Sequence, residues 1–284
     1  MRVLLTIPHV FAPQAGSRYS SQNESKRTTK QLALQKSTIE NLHRHGKKAW
    51  VHASLGLEKQ IVTRHILINS GIDLTIQIYS PSKHNLINEL PKDDRIQIID
   101  PDARNYSEIP MIASRRLIEQ AEKYDLIGYM EDDLLIEDPE FFQKINYLDS
   151  LNDGSYIFLP HRCEFIPNRG DVILSGDPDG GRPDLFWDTG ETLNISWPSG
   201  NRRFYRATNP HSGCYFMTRR QGLRLLNHWA KRSWKPDFVL SGPLEQAASG
   251  LLLPVFKVMK TIPEDYRFLM LRHLDRLWEN HSFE

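Results

Sequence analysis

The stretch Asp125–Asp138, DLIGYMEDDLLIED, limits the folds open to this chain more than any other. Leu126 to Met130 form an apolar run of strand length. Glu131, Asp132 and Asp133 follow without a break, and Leu134 to Ile136 are apolar again. Apolar flanks on both sides hold three adjacent carboxylates close to a core, where like charges repel strongly. A compensating positive charge is required. A divalent ion is the simplest candidate, because Mg²⁺ and Mn²⁺ prefer carboxylate oxygens. In an open α/β sheet, ligands bind just beyond the carboxyl ends of the strands, so a strand that stops at Glu-Asp-Asp is well placed to hold a metal and a metal-bound phosphate. The alternative is a solvated strand-to-loop turn, since Asp is common at turns, but such a turn rarely lies between two apolar runs.

The segments around this stretch alternate in type. Arg2–Ile7 reads as a buried strand ended by Pro8, and 13–26 as a polar loop. Thr28–Arg44, with Leu32, Leu34, Ile39 and Leu42, reads as an amphipathic helix, and Ala49–Ala53 as a strand. Leu57–Asn69 reads as a second helix, Leu74–Tyr79 and Ile96–Ile99 as strands, and Ile109–Tyr124 as a helix leading into the acidic strand. This alternation predicts an α/β fold with a largely parallel sheet of βαβ units.

Further on, Pro139–Leu148 reads as a helix with Pro139 in its first turn, and Tyr156–Leu159 as a strand. Asn168–Arg206, rich in Gly, Pro, Asp and Asn, reads as a long irregular excursion. Gly213–Met217 is a strand, and Thr218 with Gln221 has the spacing of a capping box for the helix that follows. Ser241-Gly242-Pro243 opens another helix, Val255–Met259 is strand-like, and His273 falls in a tail expected to be helical.

Composition sets broad bounds. With 284 residues, 39% hydrophobic and 25% charged, the chain has the make-up of an ordinary globular protein of one or two domains. A net charge of +1 gives no sign of nucleic-acid binding through bulk charge. No apolar stretch approaches the roughly 20 residues needed to span a bilayer, so any membrane association would be peripheral. Cys163 and Cys214 are expected to be free thiols, and N-x-Ser sequons at Asn23, Asn105, Asn194 and Asn280 are discounted without an export signal. A cytoplasmic enzyme is the default expectation.

In this order the segments resemble a nucleotide-sugar glycosyltransferase of the GT-A type. The resemblance rests on a helix with Ala113, Arg115 and Arg116 leading into a strand that ends in Glu131-Asp132-Asp133, in place of the family's Asp-x-Asp. It rests also on the strand Ser212–Phe216 followed by a helix, and on the acid of Leu244-Glu245-Gln246. It implies a single GT-A-like domain over 1–284, with a nucleotide-sugar-binding half (1–138) and an acceptor-side half (139–284). It also implies a reaction that moves a sugar from a nucleoside-diphosphate sugar to an acceptor hydroxyl. Asp133 would ligate Mn²⁺ or Mg²⁺, and Asp132 or Glu131 would touch the ribose or a metal-bound water. Pro8 and His9 would seat base and ribose, and Arg115 or Arg116 would face the phosphates. Glu245 would be the general base of an inverting displacement, and His273, or less so His281, a further metal ligand.

Each role has a plainer alternative. Arg115 and Arg116 read equally as surface arginines, and Glu245 as a first-turn acid complementing the helix dipole. His273 reads as an ordinary histidine, and His161 and His211 receive no role. Trp187, Trp197, Phe204 and Tyr205 read as an acceptor platform or as core cover beneath a loop. Two other functions compete. A nucleotidyltransferase acting on a sugar phosphate shares the sheet and acids, but 8–16 lacks the Gly-rich loop expected after its first strand. A non-catalytic glycan-binding protein of the same fold would tolerate loss of the acids, which are intact here.

Overall fold

The computed structural model describes residues 1–15, 20–46, 49–55, 61–67, 71–167, 169–173, 188–207, 210–236 and 242–275. Strand β1 (Arg2–Pro8) is buried from Val3 onward. Val3, Leu5 and Ile7 enter one apolar cluster and Leu4 enters a second on the other face. A strand covered on both faces reads as a continuous apolar run, as RVLLTI does. Helix α1 (Arg27–Gln35) passes through a π-helical turn at Lys36–Glu40 into α2 (Asn41–His45), matching the helix expected over Thr28–Arg44. Its inward face differs from the expected one. Leu32 is 54% exposed, whereas Lys30, Ser37, Thr38, Asn41 and His45 are buried beside Ala33, Leu34 and Leu42.

Strands β2 (Ala49–Leu55) and β3 (Ile61–Leu67) pair as an antiparallel hairpin. The helix expected over Leu57–Asn69 is therefore a strand where the structure describes it, and the remainder lies outside the described residues. Ile61, Val62 and Thr63 are consecutive β-branched residues, which lose χ1 freedom in a helix and fit a pleated ribbon. Next come β4 (Asp73–Tyr79), β5 (Ile96–Ile99), α3 (Ile109–Ile118) and β6 (Leu126–Met130). α3 is shorter than the expected Ile109–Tyr124, giving way to a 3₁₀ turn at Ala121–Lys123. Strands β5, β4, β1 and β6 lie side by side in that order, all parallel.

The second half completes this sheet and adds two smaller ones. β7 (Leu134–Leu135) follows the acids directly. α4 (Phe141–Ser150) starts two residues after Pro139, which therefore precedes the helix instead of opening it. β8 (Tyr156–Phe158), β9 (His161–Ile166), β10 (Gly170–Ile173), β11 (Asp188–Ile195) and β12 (Arg202–Ala207) come next. The expected irregular excursion over Asn168–Arg206 is thus largely strands where it is described. Of its described Gly and Asn residues, Gly200 and Asn201 lie in the loop between β11 and β12, Gly190 in an irregularity between Asp188 and Thr192, and Gly170 and Asn194 on strands.

β13 (Cys214–Thr218) adds antiparallel to β6, and Phe216 crosses over Gly128, where a Cβ would lie 2.5 Å from the ring. α5 (Arg219–Trp229) carries the expected capping box between Thr218 and Gln221. α6 (Pro243–Glu245) is one short turn with Gly242 as N-cap. β14 (Lys257–Thr261) lies two residues later than expected, and β15 (Met270–His273) places His273 on a strand, not a helix. β14 joins β11, β12 and β8, while β15 lies between β9 and β7. Both cysteines are free and buried. Among the described residues no helix is long and apolar enough to cross a membrane. The result is a mixed α/β fold with a mostly parallel central sheet flanked by helices, as the alternation of segments predicts.

Candidate active site

Parallel pairing of β1 with β6 sets Thr6 opposite Tyr129. Three residues further along each strand, His9 and Asp132 arrive side by side at the carboxyl edge of the sheet. The Leu86 backbone N–H donates to His9 Nε2 at 3.1 Å, which leaves the ring proton on Nδ1; this nitrogen donates to Asp132 Oδ2 at 2.6 Å. Pro8, His9, Lys30 and Glu131 to Asp133 line one cavity of about 320 Å³, with Tyr106, Pro243 and Leu244 also at its wall. The structure therefore brings together five residues singled out from the sequence, Pro8, His9, Glu131, Asp132 and Asp133.

The polar stripe of α1 and α2 holds the acidic loop in place. Ser37 Oγ donates to the Asp132 carbonyl at 3.0 Å, and Asn41 Oδ1 accepts from the Ile136 N–H at 2.9 Å. His45 Nε2 lies 3.0 Å from the Ile136 carbonyl. These bonds satisfy backbone groups that the short β7 leaves unpaired. Two further backbone bonds fix the ends of the triplet, Glu131 N–H to Gly213 O at 2.9 Å and Leu274 N–H to Asp133 O at 2.8 Å.

The compensating charge comes from a residue the sequence did not single out. Lys30 Nζ donates to Asp132 Oδ1 at 2.9 Å and to Asp133 Oδ2 at 3.1 Å, and its side chain is 4% exposed. Burial disfavours the ammonium, but Asp132 and Asp133 outweigh that and hold Lys30 above its ordinary range. In the same way burial works against the Asp132 carboxylate, but Lys30 and His9 keep it well below the usual range. Asp133 is lowered too, by Lys30 and His273 against burial. Glu131 behaves differently. Burial pushes it up to about 8, with Arg162 at 3.5 Å opposing and Asp133 and Glu245 adding to the rise. Lys30 is thus the close cationic partner of Asp132 and Asp133, and Arg162 that of Glu131. The signal for Lys30 was present in its spacing, since it lies three and four residues before the buried Ala33 and Leu34.

His273 also reaches the acids. Its Nδ1 is 2.7 Å from Glu164 Oε1, and its Nε2 is 3.9 Å from Asp133 Oδ2. A carboxylate on one imidazole nitrogen orients the other, the usual support for a metal-ligating histidine. Asp133 Oδ1 is buried with no hydrogen-bond partner among the described residues. No group of three or more His, Cys, Asp or Glu suited to a metal ion occurs among those residues. A divalent ion placed at Asp133 and His273 would therefore have to take its other ligands from substrate phosphates or water, as Mg²⁺ commonly does.

Other expected residues fall elsewhere. Arg115 and Arg116 do not line the cavity; they sit on the exposed side of α3, paired with Glu119 at 2.8 and 3.1 Å, and Arg115 stacks over Trp234. Their placement on α3 points them away because Ala113, Ser114 and Leu117 take the inward face. Glu245 follows the two wall residues of α6 and folds back toward its N-cap, Gly242. Of the aromatic group, Phe204 and Trp197 take the core-covering alternative. Phe204 is fully buried against Phe158, and Trp197 packs on Tyr147 and Phe268. Trp187 and His281 lie outside the described residues. His161 Nε2 donates to the Thr261 carbonyl, 2.7 Å away, inside the protein.

No family model matches the chain, and no curated protein sequence matches it. Among solved structures it is similar to GalNAc-T7 with UDP, GalNAc and Mn²⁺, at 9% identity and a TM-score of 0.46 over 96% of this chain. It spans 43% of that longer chain. It is also similar to the galactosyltransferase LgtC in complex with donor and acceptor sugar analogs (11% identity, TM-score 0.39, 96% of this chain and 86% of that one). A third similarity is to a mannose-1-phosphate geranyltransferase from Thermus thermophilus (10% identity, TM-score 0.38, 92% and 73%). These are distant likenesses in fold, and the role of each cavity residue rests on its own geometry.

Proposed function

We propose that this chain is a metal-dependent glycosyltransferase that moves a sugar from a nucleoside-diphosphate sugar to an acceptor hydroxyl. The observation that carries the reading is the convergence of His9, Lys30 and Glu131–Asp133 on one cavity at the carboxyl edge of the parallel sheet. The nucleotide would lie against Pro8 and His9, with its phosphates toward Asp133. Asp133 and His273 would hold Mn²⁺ or Mg²⁺, which when bound acts as a Lewis acid on the departing diphosphate. His9 holds Asp132 in one orientation, and Glu164 does the same for His273, so neither group has to reorganise as charge develops. Glu245 would take the proton of the acceptor hydroxyl as the new glycosidic bond forms and the bond to the diphosphate breaks, giving inversion.

A thermal-shift panel of nucleoside diphosphates, nucleoside triphosphates and nucleotide sugars, with and without Mn²⁺, tests this reading. A ligand that binds the native state raises the melting temperature by mass action. The expected result is a shift with one base that grows when Mn²⁺ is present and vanishes in Asp133→Ala. Absence of any shift across the panel would overturn the reading. A shift only with a nucleoside triphosphate would favour nucleotidyl transfer instead.

A further inference from the structure

Two of the acids that line the cavity already hold a cation. Lys30 reaches them from α1, 102 residues away in the chain, and its ammonium spans Asp132 and Asp133. The helix that carries it is anchored to the same loop through Ser37 and Asn41, so the contact is built into the packing of α1 and α2 on the acids. We propose that Lys30 is the donor site's own cation. It keeps a free divalent ion from settling on Asp132 and Asp133, and it turns to the diphosphate when a nucleotide enters, so that metal and nucleotide are taken up together. The proposal rests on reading the cavity as a nucleoside-diphosphate site.

Charge and donor count support it. The Lys30 ammonium offsets part of the negative charge that Asp132 and Asp133 would otherwise present to a dication. Repulsion between an ammonium and a dication a few ångströms apart is strong where the side chains are this buried, Lys30 at 4% and Asp133 at 11% exposure. Asp133 Oδ1 is buried without a hydrogen-bond partner among the described residues and His273 Nε2 lies 3.9 Å from the other oxygen of that carboxyl, so an ion arriving alone would draw further ligands from water. A diphosphate reverses the balance, because it brings both negative charge and oxygen ligands. An ammonium has three N–H donors, and Lys30 uses two of them on the acids, leaving one for a phosphate oxygen in the cavity it lines.

Calorimetric titration of Mn²⁺ tests this, with and without UDP or GDP, whichever shifts the melting temperature. Unliganded wild-type protein should bind Mn²⁺ weakly, and the nucleotide should tighten it at least about tenfold. Lys30→Met should tighten Mn²⁺ binding to the unliganded protein by at least about tenfold and weaken metal-free diphosphate binding by a similar factor. Lys30→Arg, which keeps the charge, should stay near wild type in both. Tight Mn²⁺ binding by unliganded wild type, or unchanged Mn²⁺ affinity in Lys30→Met, overturns the proposal. Should Lys30→Met fail to fold, the wild-type titration decides by itself. If no nucleotide binds at all, the glycosyltransferase reading falls, while the nucleotide-free Mn²⁺ titrations still decide whether Lys30 guards the acids.

Discussion

Gly213 links the backbone before β13 to the acidic triplet, and an alanine there should disturb both. Gly213 has φ +64°, and an ideal Cβ would lie 2.9 Å from Glu131 Oε2, 3.0 Å from its Cδ and 3.1 Å from Leu134 Cδ1. Gly71 has nearly the same angle, +69°, with nothing within 4 Å of its Cβ position. The pair separates two costs. Gly71→Ala carries only the strain of a left-handed backbone, about 1 kcal/mol. Gly213→Ala carries that strain and must also displace a buried carboxyl and a leucine methyl, an overpacking cost of about 1–3 kcal/mol. The expected totals are about 1 kcal/mol at Gly71 and about 2–4 kcal/mol at Gly213, read by urea unfolding with m-values held in common. Because Gly213 O accepts the Glu131 N–H, the triplet should shift with it, and nucleoside-diphosphate affinity should fall only in Gly213→Ala. Equal destabilisation at the two glycines would refute the close contact.

Lys260 offers a pH-dependent outcome. Burial pulls its ammonium from the ordinary 10.5 down to about 7, with the charge of Arg162 adding to the shift. Between those values the unfolded chain binds a proton that the folded one does not, so stability rises with pH across the window and is lost as pH falls through it. The slope approaches about 1.4 kcal/mol per pH unit, and Lys260→Met should flatten it by about 2–3 kcal/mol between about pH 7.5 and 9.5. Denaturation curves for wild type and variant that move in parallel with pH would remove the buried lysine as the cause. At the rim, Glu245→Gln should lower turnover by about 10²-fold or more with donor affinity nearly unchanged, the signature of a lost general base. Near-normal turnover would leave Glu245 as a helix-start acid.

Much of the central sheet was legible in the chain because its signals are local. RVLLTI and LIGYM are apolar runs of strand length, and both became neighbouring buried strands whose ends meet at the cavity. The capping box of Thr218 and Gln221 is a four-residue motif and formed as read. Local signals failed where burial had to choose between similar patterns. Leu57–Asn69 carried apolar residues at helical intervals, yet its β-branched run pairs with β2. Phe204 read as ligand platform or core cover, and alternation along β12 turns it into the core. Arg115 and Arg116 stand near the acidic strand in sequence, while α3 presents its small and apolar residues to the sheet and leaves both arginines outside.

The sequence by itself determined that an acidic triplet would end a buried strand and that a positive charge would have to meet it. Which charge meets it was decided only by the tertiary structure. Lys30 lies on a helix whose sequence permits more than one inward face, and the packing of Ala33, Leu34 and Leu42 against the sheet selects the face that carries it to the acids. Helical periodicity is a property of neighbouring residues, whereas electrostatic compensation acts through space at a few ångströms and takes no account of distance along the chain.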